Sequence, residues 1–254
     1  MNRIASLIKK ELRTNSYSLK GAFQVLFFLL ISGVFFHSFV NAFTQLARDV
    51  SLYGGERPNL DNLIQAMFSN FQFTLLLLIP ASTMGSISEE RSKQTIRLLL
   101  SSPAHSFEIV FSKFAANFIF LSFTLLLSSV FFLYLSYYGN PDVNLIITSY
   151  FGLCLLVAAH TSLGIYISSL FKKQIISFLL SIMIMLGLMV SSWVSTKVAI
   201  SESLSNFLAY IGTNTHIDPM YRGLIRTSDI VYFACFTALF LVLASSTLDK
   251  KEWK

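Results

Sequence analysis

Charge is scarce in this chain. Asp, Glu, Lys and Arg make up 13% of its 254 residues, about half the share of an ordinary soluble domain. A water-facing surface needs more than this. The charge that exists avoids six stretches altogether. Residues 21–47, 62–88, 114–141, 143–171, 174–196 and 230–248 contain no Asp, Glu, Lys or Arg, and the shortest stretch has 19 residues. About 20 apolar residues cross a bilayer core of roughly 30 Å. Lipid offers the backbone no hydrogen-bond partner, so such stretches satisfy their own N–H and C=O groups as helices rather than as barrel strands. The pattern predicts an all-α membrane protein with six transmembrane helices.

Other absences narrow the function. The longest stretch between the six segments is 197–229, which leaves no room for a folded soluble domain. No GxxxxGK[ST] loop is present, so the chain lacks that device for holding ATP phosphates. GxGxxG, HExxH and CxxC are absent too. The only two cysteines, Cys154 and Cys235, fall inside apolar segments, where a thiol serves packing more readily than a disulfide. No span carries a carboxylate or a permanent cation. Intramembrane charges cost about 2.5–3.5 kcal/mol each and mark proton or ion paths, so their absence argues against a proton-coupled carrier.

The basic residues set an orientation. Fourteen of the 19 Lys and Arg fall in the N-terminal segment, in 86–113, at 172–173 and in the tail. The alternate loops hold the other five. Positive residues favour the cytoplasmic side, so both termini are expected inside. The net charge of +6 is accounted for by this bias and calls for no nucleic-acid partner. The first apolar run is too long for a typical signal-peptide core and reads as an uncleaved helix.

Along the chain, Ile4, Leu7, Ile8 and Leu12 repeat at the spacing of one helical face, with Lys9, Lys10 and Arg13 on the remainder. Residues 1–20 therefore read as a cytoplasmic amphipathic helix lying in the membrane interface. Such a helix serves as a topology anchor, a docking surface, or both. The six-helix domain covers 21–248, with spans expected near 21–43, 67–87, 113–137, 145–170, 175–195 and 230–248, and a tail at 249–254. Between the second and third spans lies SISEERSKQTIRLLLSSPAHSFEIVFSK. It is polar, then amphipathic with Ile96, Leu99 and Leu100 on one side, and Pro103 stops it. A new helix starts at Ser106, where Glu108 suits the helix dipole. Lys172 and Lys173 show how short a plain connector can be, so this structured excursion suggests a task.

Residues 197–229 are patterned as well. Leu204, Phe207, Leu208 and Ile211 share a helical face that Gly212 should end. Asp218 and Pro219 read as an N-cap and first helical residue, opening a second short helix with Arg222 and Arg226 on one face. Phe207, Asp218, Arg222 and Arg226 would shape an exit region or lid on the outer leaflet. Two histidines fall within spans. His37 should lie about 16 residues, roughly 24 Å, from the inner end of its helix, and His160 about 17 residues from the outer end of its own. A single haem cannot bridge them, and packing or hydrogen bonding is the simpler role.

Four stretches carry a resemblance. They are KKELR (9–13), IPASTMGSISEERSKQTIRLLLSSP (79–103), EIVFSKF (108–114) and HIDPMYRGLIRTSDIVYF (216–233). With the six-helix plan they resemble the permease subunits of ABC-2 type exporters, nearest to the gliding-motility and nitrous-oxide-reductase-maturation type permeases. The second stretch is similar to that family's P…M…EER..GT…LL..P. Gln94 stands where the family usually has Gly, and Arg97 where it often has Glu.

The resemblance implies a non-catalytic membrane subunit of a bacterial cytoplasmic (inner) membrane. Its partners would be a separate ABC ATPase, in two copies, and a second permease chain, identical or homologous. Mg-ATP would be bound by the ATPase and no cofactor by this chain. Envelope accessory proteins are further candidate partners. The coupling element would be a cytoplasmic helix within 89–103, with Glu89, Glu90, Arg91, Gln94, Thr95, Ile96, Arg97 and Pro103 as its residues. Three alternatives stay open at this point: the membrane anchor of a redox complex, an ATP-independent secondary transporter, and a relay that passes ATPase motion to envelope proteins.

Overall fold

The computed structural model describes residues 2–53, 59–93, 105–197 and 201–252, and all regular structure among them is helical. In chain order the helices are α1 (Asn2–Ser16), α2 (Leu19–Tyr53), α3 (Leu60–Thr83), α4 (Ser88–Ser92), α5 (Ser106–Leu127) and α6 (Ser129–Tyr138). They continue with α7 (Val143–Leu170), α8 (Gln174–Lys197), α9 (Glu202–Ile211), α10 (Thr213–Tyr221) and α11 (Thr227–Glu252). Six helical stretches are long and apolar enough to cross a membrane. They are α2, α3 continued through a turn to Ser92, α5 with α6, α7, α8 and α11.

The helices overrun the apolar stretches. The first continues to Tyr53 rather than stopping near 43, the helix of the third span runs from Ser106, where its start is expected, well ahead of the apolar stretch, and the last reaches Glu252. Hydropathy marks what lipid can surround, whereas a backbone stays helical until a cap or breaker stops it. The caps are visible. Asn59 Oδ1 accepts the Asp61 N–H at 2.9 Å to open α3, and Asp142 Oδ1 accepts the Asn144 N–H at 2.9 Å to open α7. At the start of α5, the Glu108 carboxylate accepts the His105 N–H at 3.3 Å. Pro80 sits inside α3 without ending it, and the Met84 N–H closes on the Pro80 carbonyl at 2.8 Å.

α7 is the centre of the bundle, flanked by α3, α5, α8, α10 and α11. Beside it lies an aromatic cluster. Phe68 stacks on Phe132 at 4.9 Å and meets Tyr150 edge-on at 5.0 Å. The third span breaks between α5 and α6 at the buried Ser128, whose hydroxyl donates to the Leu125 carbonyl and also bonds the Tyr150 hydroxyl at 2.9 Å. α3 approaches α7 closely at Gly164, where a Cβ would lie 2.2 Å from Thr83 Oγ1. Small residues at such crossings let membrane helices pack backbone to backbone. Cys154 and Cys235 are both free.

The outer surface is apolar. Leu26, Leu30 and Val34 on α2, Leu179 and Met183 on α8, and Leu239 and Val242 on α11 are all exposed. On a soluble monomer an apolar surface of this extent would drive association. On a bundle in lipid it matches the solvent.

At one end of the bundle, α9 stops at Gly212 as its pattern predicts. A Cβ there would sit 2.0 Å from Ser192 Oγ of α8, so the close approach requires glycine. The expected start at Asp218–Pro219 is not observed. Both residues lie inside α10, which begins at Thr213. Nor do Arg222 and Arg226 share a helical face. α10 ends at Tyr221, and Gly223 at φ +80° donates to the Met220 carbonyl while the Leu224 N–H donates to that of Pro219. That is a Schellman close, which favours glycine at the left-handed position. Arg222 is the cap residue, and Arg226 falls between α10 and α11.

Candidate functional site

The densest polar cluster lies at the other end, where α1 meets the EER segment. The amphipathic spacing of α1 turns Ile4, Leu7, Ile8 and Leu12 inward, with Glu11 and Asn15 on the same face, and α1 packs along α5. Opposite stands Lys113 of α5, only 3% exposed. Its ammonium donates to Glu11 Oε1 at 3.1 Å and to Glu90 Oε1 at 2.7 Å. A buried ammonium is tolerated only where counter-charges and hydrogen bonds replace its water. Here two carboxylates supply them, one from α1 and one from α4. One lysine thus joins the N-terminal helix, the EER segment and a membrane span.

Asn117, one turn further along α5, extends the junction. Its Nδ2 donates to the Lys113 carbonyl at 2.8 Å and to Ser86 Oγ at 3.2 Å. Its Oδ1 accepts from Ser82 Oγ at 2.7 Å and from Asn15 Nδ2 at 3.2 Å. Both donors and both acceptor sites of the amide are used, and such fully connected networks rigidify what they join.

α4 is also fastened to α7. Ser168 Oγ accepts the Ile87 and Ser88 N–H groups, both at 3.1 Å, and donates to the Met84 carbonyl at 3.0 Å. Arg91 Nη1 donates to the Ser169 carbonyl at 2.5 Å. Ser168 and Ser169 are in the last turn of α7, so Arg91 satisfies a carbonyl that the helix terminus leaves free. Glu89 is more exposed and pairs with Lys93 at 2.7 Å, with side chains 46% and 65% exposed.

The structure therefore splits the EER triplet. Glu90 and Arg91 turn into the bundle, while Glu89 stays half-exposed over Gly85, beside Gln174 of α8. The remaining expected coupling residues, Gln94, Thr95, Ile96, Arg97 and Pro103, lie outside the described residues. Lys9, Lys10 and Arg13 occupy the exposed side of α1, with the Arg13 guanidinium 5.9 Å from the Tyr17 ring centroid.

The sequence pattern did not single out Glu11, Lys113 or Asn117 as partners. A signal existed for Glu11, which falls seven residues after Ile4 on an otherwise apolar face. Lys113 counts as one more cytoplasmic cation by its place just before the charge-free stretch 114–141, and nothing local to it names its partners.

A second cluster holds α10 to α11 at the opposite end. His216 Nδ1 lies 2.8 Å from Asp229 Oδ1, and Nε2 lies 3.1 Å from the Tyr210 carbonyl. Tyr232 stacks on the imidazole at 3.9 Å between centroids, and its hydroxyl donates to the Ile211 carbonyl at 2.6 Å. His216 and Asp229 are both buried. Of the expected exit residues, Phe207, Asp218, Arg222 and Arg226 are all exposed and none joins this cluster. The two clusters sit at opposite ends of α7. Thr148 Oγ1 bonds the Met220 carbonyl in its first turns, and Ser168 lies about 30 Å away at 1.5 Å per residue. Of the two intramembrane histidines, His37 bonds Asn41 at 3.0 Å within α2, and His160 is buried in α7.

No curated protein matches the chain. The family described as ABC-2 family transporter protein matches residues 5–253, a span that takes in both polar clusters and all six apolar helices. The chain belongs to the ABC-2 transporter family and is a multi-pass membrane protein.

Proposed function

We propose that the chain is the membrane-spanning permease subunit of an ATP-driven exporter, non-catalytic itself and served by a separate ATPase that binds Mg-ATP. Two permease chains and two ATPase copies would make the working unit, in a bacterial cytoplasmic membrane. The end bearing α1 and α4 faces the cytoplasm, in line with the positive-charge bias. The coupling element is 89–103. Within it, Glu89 and Lys93 face the ATPase, and Glu90 and Arg91 fasten the segment to the spans.

One observation carries this reading. Lys113 ties the EER segment simultaneously to α1 and to α5, so a push on 89–103 is delivered to a membrane span and to the N-terminal helix together. Mechanical transmission to envelope accessory proteins would be an alternative output of the same motion.

The test is co-expression with a cognate ABC ATPase. Arg91→Ala should loosen the segment from Ser169 and reduce co-purified ATPase or uncouple its hydrolysis, with membrane insertion unchanged. Lys173→Ala, in the short α7–α8 turn, should matter less. If Arg91→Ala and Ile96→Asp behave as wild type while Lys173→Ala abolishes coupling, the ATPase contacts a different loop.

A further inference from the structure

Beside the Lys113 cluster is a polar cavity of about 430 Å³, walled by α1, the start of α2, the turn after α3, α4 and α5. Four lysines line it, Lys10, Lys20, Lys93 and Lys113, against the carboxylates of Glu11, Glu89 and Glu90. The carboxylates make their close contacts elsewhere, although the charge of Glu89 also reaches Lys20. Glu11 and Glu90 hold Lys113, and Glu89 holds Lys93. Lys10 and Lys20 have no ion pair within 4 Å among the described residues, and four lysines against three carboxylates leave the cavity a surplus of one positive charge.

An apolar stripe begins at the same place. Leu19, Phe23, Leu26 and Leu30 are 92%, 68%, 59% and 68% exposed. They follow one another at the i, i+4, i+7, i+11 spacing of a single helical face. Phe23 lies three residues after Lys20, so the stripe and the lysine are neighbours on α2. Tyr17, 87% exposed, lies in the preceding turn, and aromatic side chains of this kind favour the headgroup level of a bilayer.

A cationic cavity continuous with an apolar stripe fits an amphiphile with one negative charge. We propose that this cavity is a binding site for an anionic phospholipid, its phosphodiester held between Lys10 and Lys20 and its acyl chains laid along Leu19, Phe23 and Leu26. The shared chemistry is a phosphate anion, and the apolar stripe selects the lipid over free phosphate. The lipid would then bridge α1 to α2 beside the junction that Lys113 makes with α5. This site does not depend on the ATPase reading, because it requires only that the α1 end lie at the membrane surface.

The experiment is native mass spectrometry of the full chain released from nanodiscs containing equal phosphatidylglycerol and phosphatidylcholine. The wild type should retain phosphatidylglycerol preferentially. Each basic residue near an anionic lipid surface contributes about a five-fold preference, so Lys10→Gln with Lys20→Gln should weaken retention roughly 25-fold. Lys10→Arg with Lys20→Arg should retain the lipid, which separates lost charge from lost folding. Lys172→Gln with Lys173→Gln removes the same charge from the same end and should leave retention unchanged. Inorganic phosphate added in detergent should not raise the unfolding temperature, whereas phosphatidylglycerol should. Equal retention of the two lipids, or equal loss in the Lys172/Lys173 variant, overturns the site. Protection by inorganic phosphate equal to that by phosphatidylglycerol overturns the lipid and assigns the cavity to a free anion.

Discussion

Lys113→Met deletes the charge at the three-way junction while keeping most of the side chain's length and apolar stem. At an effective dielectric of about 20, ion pairs at 2.7 and 3.1 Å are worth roughly 6 and 5 kcal/mol in gross attraction. Several kcal/mol of this offsets the burial of the ammonium, and the two carboxylates repel each other across it. Removing one member of a buried pair costs about 3–5 kcal/mol. Glu11 and Glu90 keep 22% and 20% of their side-chain exposure, so water relieves part of their unpaired charge. The lower end applies, about 3 kcal/mol. For a chain of this size that corresponds to a fall of about 6–12 °C in apparent unfolding temperature. The assay is thermal unfolding of the full chain in a fixed detergent, followed by monodispersity and by tryptophan fluorescence. Glu90→Gln in the Lys113→Met background should recover part of the loss, with a coupling of about 1–3 kcal/mol in the cycle. A Lys113→Met protein that unfolds within about 1 °C of wild type, or a strictly additive double variant, would refute the junction.

Gly164→Ala should destabilise by about 1–3 kcal/mol, because its Cβ would collide with Thr83 Oγ1, which is itself fixed by donation to the Ile79 carbonyl at 2.9 Å. Gly187→Ala, with open space around its Cβ site, should be neutral or slightly stabilising in the same thermal assay. Asp229→Ala should cost about 2–3 kcal/mol by leaving His216 without its buried partner. Limited proteolysis across 212–226 should speed up while the spans stay inserted, and unchanged cleavage would mean that the pair does not hold α10. A reporter fused after Lys254 should read cytoplasmic and one at Asn140 external. A cytoplasmic reading at Asn140 would break the six-span order.

Much of the helical plan was legible because it depends on local chemistry. Ile4, Leu7, Ile8 and Leu12 announced the apolar face of α1 though not that it packs on α5, Glu108 announced the start of α5, and Gly212 announced the end of α9. Asp218–Pro219 misled for a local reason too, since a favourable cap dipeptide looks the same wherever it falls. The position was overridden from a distance. Met220, two residues after Asp218, packs on Gly152 of α7 and gives its carbonyl to Thr148. Gly223 then ends the helix instead. In the candidate site, the EER triplet stood out as a motif, but the different partners of Glu89 and Glu90 did not. They follow from which side of a five-residue helix lies against α7 and α5.

The sequence by itself determined how many of the described helices are long and apolar enough to cross a membrane. The bilayer is a nearly uniform solvent that demands only length, apolarity and internally satisfied backbone groups, and all three can be read along the chain. Only the tertiary structure decided which charges meet. Glu11 and Lys113 are 102 positions apart, and their contact depends on α1 lying along α5. No periodicity within one helix records the distance to another. The burial of one ammonium between two carboxylates therefore becomes visible only once the helices are packed.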